Sequence, residues 1–197
     1  KTNITLNILA GDRELEDALE DAKFLYEAGA DALIIQDLGL APLIHAHAPD
    51  FGLHASTQMT VHTLDGAREA RDIGFSRVVL SRECSREEIK LITEQAGVET
   101  EVFVHGALCM CYSGQCFMSS MIGGRSANRG MCAQACRLPY ELQNKALQKS
   151  LPSPGDHLLS PQDLCTVDRV DDLVAAGVAS LKIEGRMKSP EYVFAVT

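Results

Sequence analysis

An incomplete (β/α)8 barrel, a TIM-like α/β fold, is the architecture this sequence predicts, and three observations lead there. Strand-like apolar runs alternate with helical patterns. The repeat is short, about 25 residues per βα unit, which suits a barrel better than a doubly wound sheet with long loops. A glycine followed by small residues closes a helix and opens the next strand at Gly29-Ala-Asp-Ala, Gly74-Phe-Ser-Arg and Gly177-Val-Ala-Ser. Nearly continuous apolar strands imply a parallel sheet. Six βα strands are visible where a closed barrel has eight, and an open α/β sheet is the alternative.

The first strand is expected over Ile4–Leu9. A helix over Asp12–Ala28 follows, with an acidic first turn and apolar Leu15, Ala18, Leu19, Ala22 and Leu25 at helical spacing. Strands Ala32–Gln36, Leu53–Thr57, Arg77–Ser81 and Glu101–His105 alternate with helices Leu40–Ala46, Leu64–Ile73 and Ser85–Gln95. The last of these opens Ser-Arg-Glu-Glu, a capping-box pattern. After the fifth strand the rhythm breaks. Residues 106–165 form a Cys-rich insertion within a single domain spanning 1–197, and its polar stretch 145–157 is expected to be a hairpin or mobile loop. The rhythm resumes with helix Thr166–Ala176, strand Ser180–Glu184 and helix Pro190–Thr197.

With 46% hydrophobic residues the chain can bury a core, and with 5% aromatics and no Trp that core must be aliphatic. The net charge of −9 argues against a generic nucleic-acid coat. The run from Val102 to Tyr140 is a local exception: it has no Asp or Glu and carries Arg125, Arg129 and Arg137. No apolar run is long enough to span a bilayer and no signal-peptide pattern is present, so no membrane role and a cytoplasmic location are expected. There, seven cysteines point to metal binding or catalysis before disulfides.

Barrel chemistry sits at the C-terminal ends of strands. Here those ends present Asn7, Asp37, Ser56, Arg82, Glu83, His105 and Glu184. Lys182, Glu184 and Arg186 are two apart, so they share one face of the last strand. Unpaired, such charges are costly to bury. Either Glu184 forms a brace with Lys182 or Arg186, or the group faces substrate. His105 precedes Cys109 by four residues, which admits a Cys–His nucleophile pair or a rim histidine bonded to backbone. Gly123-Gly124-Arg125 and Arg129-Gly130 form either an anion-binding nest or plain turns.

Five cysteines lie between 109 and 136 in a Gly/Ser-rich segment that offers no core to pack against. Six residues separate Cys109 from Cys116, fifteen separate Cys116 from Cys132, and thirty-two separate Cys132 from Cys165. This is neither CxxxCxxC nor a pair of CxxC knuckles. Four thiolates gathered from such a loop suit a [4Fe–4S] cluster or zinc. Cys84 stands apart and is expected to be a packed free thiol.

The run EVFVHGALCMCYSGQCFMSS (101–120) resembles the signature of the collagenase-like peptidase U32 family. GGRSANRGMCAQACRLPY (123–140), LLSPQDLC (158–165) and SLKIEGRMKSPEYV (180–193) match it in order, and LHASTQMTVHT (53–63) is similar to its mid-barrel strand. The resemblance covers essentially the whole chain. It implies a (β/α)8-like barrel whose first two units are missing here. The family name implies proteolysis. Members of this type imply instead oxygen-independent hydroxylation of ubiquinone precursors, of transfer RNA or of ribosomal RNA, and the wording is most similar to the ribosomal-RNA branch. The resemblance further implies an iron–sulfur cluster on Cys109, Cys116, Cys132 and Cys165, with Cys136 as substitute, and prephenate as oxygen source. It makes RNA the expected partner. Glu184, Arg186 and His105 are the candidate catalytic residues. Arg125, Arg129 and Lys182 are the candidate substrate-binding residues, and Arg125, Arg129 or Arg186 is expected to hold the dicarboxylate. A collagenase-like peptidase and a zinc-stabilised binding module are the alternatives. An incomplete barrel would also expose strand edges, so self-association is expected.

Overall fold

The computed structural model describes residues 1–185 and 188–197. In chain order, the first half is β1 (Asn3–Leu6), α1 (Leu15–Glu27), β2 (Ala32–Ile35), α2 (Leu40–His47), β3 (Gly52–Ala55), α3 (Leu64–Ile73), β4 (Arg77–Val79), α4 (Arg86–Gln95) and β5 (Glu99–Gly106). The insertion holds α5 (Met118–Gly123), a hairpin of β6 (Gln143–Asn144) and β7 (Lys149–Ser150), and β8 (Leu164–Cys165). α6 (Val170–Ala175), β9 (Ser180–Ile183) and α7 (Pro190–Val196) follow.

β1, β2, β3, β4, β5 and β9 pair in parallel, each with the next in that order. The order never turns back on itself, as it does at the switch point of a doubly wound sheet. The result is a sheet curled into a half-barrel with its helices on the outside. Side chains alternate between the two faces, as strand geometry requires. Leu33, Ile35, Leu53, Ala55, Val78, Leu80, Val102 and Val104 point outward and pack against Ala22, Ile44, Ala67, Ile89 and Ile92 of the helices. The core is mostly aliphatic, as the composition leads one to expect, with Phe51 and Phe75 as its buried rings. The inward set mixes His54, Ser56, Glu101 and Lys182 with Ile34 and Phe103, which leaves a floor for chemistry.

Three local differences have physical causes. α1 begins at Leu15 rather than Asp12, because the Glu14 carboxylate accepts the Gly11 N–H (2.8 Å) and holds the preceding residues in a turn. α6 is shorter than its pattern, since Val167–Arg169 forms a 3-10 turn ahead of it. β8 carries no strand-like pattern of its own; it runs antiparallel to the end of β5, with His105 opposite Cys165. The Ser85 capping box is present as expected: the Ser85 hydroxyl accepts the Glu88 N–H and the Glu88 carboxylate accepts the Ser85 N–H. Stretch 145–157 begins inside the β6–β7 hairpin. No helix of the described residues is long and apolar enough to cross a membrane.

Candidate active site

A cavity of about 630 Å³ lies between the inner face of the sheet and the Cys-rich loop. Asn7, Ser56, Arg82, Phe103, Lys182 and Glu184 line it from the strands. Cys109, Cys116, Cys132 and Cys136 line it from the loop.

Two glycines let the loop lie this close. Gly106 (φ +105°) faces the Glu184 backbone, and Gly114 (φ +75°) sits against the backbone of Gln58. A Cβ at either position would overlap those atoms, and positive φ itself disfavours other residues. Between Cys111 and Cys116, Ser113 is buried and acts as the fastening. Its N–H and hydroxyl donate to the Glu83 carboxylate (2.9 and 3.2 Å), and its carbonyl accepts from the Thr60 hydroxyl (2.6 Å). The loop is thereby tied to the ends of β3 and β4.

The second half of the loop is held by arginines. Arg129 donates to both oxygens of Glu14 (2.9 and 2.8 Å) and to the Leu9 carbonyl (3.2 Å). Arg137 donates to the carbonyls of Leu108 and Pro161 (both 2.7 Å) and to the Ser160 hydroxyl (2.9 Å). It also stands 3.6 Å from Asp163. One guanidinium therefore gathers the segments that carry Cys109, Cys136 and Cys165.

The floor is a chain of ion pairs. Lys182 donates to Glu101 (2.7 Å), and Arg77 lies 3.6 Å from the same carboxylate. Arg82 pairs with Glu184 (2.9 Å) and stacks its guanidinium 3.7 Å from the Phe103 ring centre. Burial pushes the Glu101 carboxyl up, but Lys182, Ser180 and Arg77 together outweigh it and hold it below the usual range. Burial pulls His54 down, so its imidazole stays neutral behind this network.

The thiols differ. Burial raises Cys136, with Arg137 countering in part. Burial and then the neighbouring Cys116 and Cys109 raise Cys111. Burial, then Glu88 and Glu83, push Cys84 up to about 11, and it packs against the core as the sequence suggested. Near neutral pH Cys84 is therefore held as the thiol. Brief native-state alkylation followed by peptide mass spectrometry is expected to modify exposed Cys109, Cys132 and Cys165 first and Cys84 last. Early labelling of Cys84 would overturn this environment.

Of the residues proposed from sequence, Lys182 and Glu184 share the cavity with Cys109, Cys116 and Cys132. Cys165 is exposed on β8 and is not among the cavity's lining residues. His105 also lies outside the lining; its ring packs on Tyr192, with centres 5.8 Å apart. Arg129 is engaged by Glu14, and Arg125 is exposed on the loop. Arg186 lies outside the described residues. Among those residues, no three Cys, His, Asp or Glu side chains form a closed metal cage. Sequence reasoning placed Arg82 at a strand end without giving it a role, and it passed over Glu101. The pairing of Glu101 with Lys182 depends on β5–β9 register, which one sequence does not display.

The profile of Peptidase family U32 matches residues 1–197. The chain belongs to this family. Among U32 relatives, it is 45% identical over 197 residues to the 23S rRNA 5-hydroxycytidine C2501 synthase of Escherichia coli, covering all of this chain and 29% of that protein. It is 36% identical to the tRNA hydroxylation protein P1 of Bacillus subtilis, covering all of this chain and 47% of that protein. It is 32% identical to a collagenase of Porphyromonas gingivalis, covering all of this chain and 49% of that protein. The chain thus spans under half the length of these U32 relatives.

Proposed function

We propose that this protein takes part in RNA hydroxylation without molecular oxygen, with an iron–sulfur cluster held on its cysteine loop. One observation carries the proposal: four thiols of the loop border a single cavity whose opposite wall carries the ion-paired Arg82, Lys182 and Glu184. Relatives named for rRNA and tRNA hydroxylation support the substrate class.

The donor set suits a thiophilic group. The loop offers thiols and no carboxylate between Val102 and Tyr140. Cys109, Cys116 and Cys132 would hold the cluster, with Cys165 as fourth ligand and Cys136, which already lines the cavity, as the substitute. Such a cluster supplies one-electron chemistry at a potential tuned by its surroundings. The chain's own residues supply the rest. Arg82 and Lys182 present cationic N–H donors to an anionic, prephenate-like oxygen donor. Asn7 and Ser56 offer neutral polar groups on the same wall, linked by a 3.2 Å hydrogen bond. Phe103 backs these cations, with the Arg82 guanidinium stacked on its ring.

A cysteine peptidase, as the family name suggests, needs a base beside its thiol. His105 packs on Tyr192 outside the cavity that Cys109 lines, which favours the hydroxylation reading. The test is metal and sulfide analysis of the intact protein purified without oxygen, with hydroxylated nucleosides measured in cells lacking and regaining the gene. Iron with acid-labile sulfide is expected, and Cys116→Ser should abolish both the cluster and the nucleoside. Zinc without iron, or full hydroxylation by Cys116→Ser, would rule the proposal out. Comparing Cys165→Ser with Cys136→Ser decides the fourth ligand.

A further inference from the structure

We propose that Tyr112 and Phe117 form a stacking platform, at the rim of the cavity, for unpaired nucleotides flanking the target base. The inference rests on the RNA-hydroxylation reading. Tyr112 follows Cys111 and Phe117 follows the cavity-lining Cys116, yet the two rings are 61% and 64% exposed. Phe24 and Phe194 are exposed elsewhere on the chain, but Tyr112 and Phe117 adjoin the cavity-lining Ser113, Cys116 and Met118. Met121 and Ile122 of the adjoining α5 are exposed as well, which extends the apolar surface. Contiguous exposed apolar surface marks interaction sites.

The platform is held firmly. The Gln115 N–H donates to the Tyr112 carbonyl (3.0 Å), closing a turn between the two rings. Buried Ser113, bonded to Glu83 and Thr60, anchors that turn, and Gly114 seats it on Gln58. Rings on a fastened turn lose little freedom when a ligand stacks on them.

The shape and charge of the site favour one occupant. A base inside a duplex cannot reach thiols that line a cavity; it must leave the stack. Its neighbours then need new stacking partners, which aromatic side chains supply with little regard to sequence. The segment from Val102 to Tyr140 has no acid of its own, and Arg125 on it is exposed and would be available to phosphate, whereas Arg129 and Arg137 are engaged by Glu14 and Asp163. An apolar protein partner would make no use of Arg125, and sedimentation distinguishes a second copy of this acidic chain from RNA.

The test is binding of labelled oligouridine to the intact protein by fluorescence anisotropy at fixed salt, with an RNA duplex as comparison. Tyr112→Ala and Phe117→Ala should each weaken oligouridine binding about ten-fold. Tyr112→Phe should restore it, and Phe24→Ala, which removes an exposed ring from α1, should change nothing. Unaltered melting of the variants would show that folding is intact. Parent-like binding by both alanine variants, or equal loss with Phe24→Ala, overturns the platform. So does a loss of dimer on sedimentation with RNA binding unchanged, which would assign the rings to a second copy. Failure of the function reading looks different: Cys116→Ser would keep hydroxylation while these binding measurements remained informative.

Discussion

Gly114→Ala is expected to destabilise the protein by about 2–4 kcal/mol and to release the cysteine loop from the sheet. Two effects add. The residue holds φ +75°, a conformation that an L side chain adopts at a penalty. The new methyl would also overlap the carbonyl and Cα of Gln58. These are backbone atoms, so no side-chain rotation relieves the clash. The loop must lift, and Ser113 then loses its bonds to Glu83 and Thr60. Urea denaturation should show the lower midpoint, and alkylation of Cys116 should quicken. Gly123→Ala is the control, since nothing lies within 4 Å of a Cβ there. If Gly114→Ala matched that control in both measurements, close approach to Gln58 would not be what holds the loop.

Glu101→Gln is expected to cost about 3–5 kcal/mol, because it keeps the shape of the side chain and removes a buried charge that serves Lys182 and Arg77. Arg77 keeps a second partner in Glu99 (2.6 Å), whereas among the described residues Lys182 pairs with no carboxylate but Glu101. Replacing Lys182 by Met in the same protein should recover much of the loss, since no unpaired ammonium then remains. The pH dependence has a definite sign. The folded-state carboxyl lies below its ordinary value of 4.5, so the unfolded chain takes up the proton first as pH falls. The stabilisation is therefore fully present above 4.5 and disappears as pH drops through the folded-state value. The stability gap between parent and Glu101→Gln should be wide at neutral pH and shrink in acid. A gap independent of pH would mean that the charge is not what matters. The same variants should disturb the cavity wall, because Lys182 reaches it from the Glu101 side.

How much was legible beforehand follows from the range over which each interaction acts. The helix caps show this well. Ser85 and Glu88 are three residues apart and find each other within one turn, so their pattern alone announced the helix start. The order of the parallel strands followed from alternating apolar runs for the same reason: each unit is locally encoded. The cysteine loop was identified by composition, and Lys182 and Glu184 by the alternation of a strand.

Long-range pairing was not legible. Arg129 looked available for an anion until folding brought Glu14 against it from 115 residues away. Arg137 drew little notice as an organiser because its partners, Leu108 and Pro161, are carbonyls, which every residue possesses. β8 is two residues long and exists through its place beside β5, not through any pattern of its own.

The repeating βα grammar, the mostly aliphatic core and a thiol-rich, acid-free loop were all written in the order of residues, because periodicity and composition are properties of neighbours along the chain. Folding alone settled which thiols share a cavity, which cations line it and which carboxylate each of them meets. Those outcomes depend on distances between residues far apart in sequence, and such distances come into being only when the sheet curls and the loop closes over it.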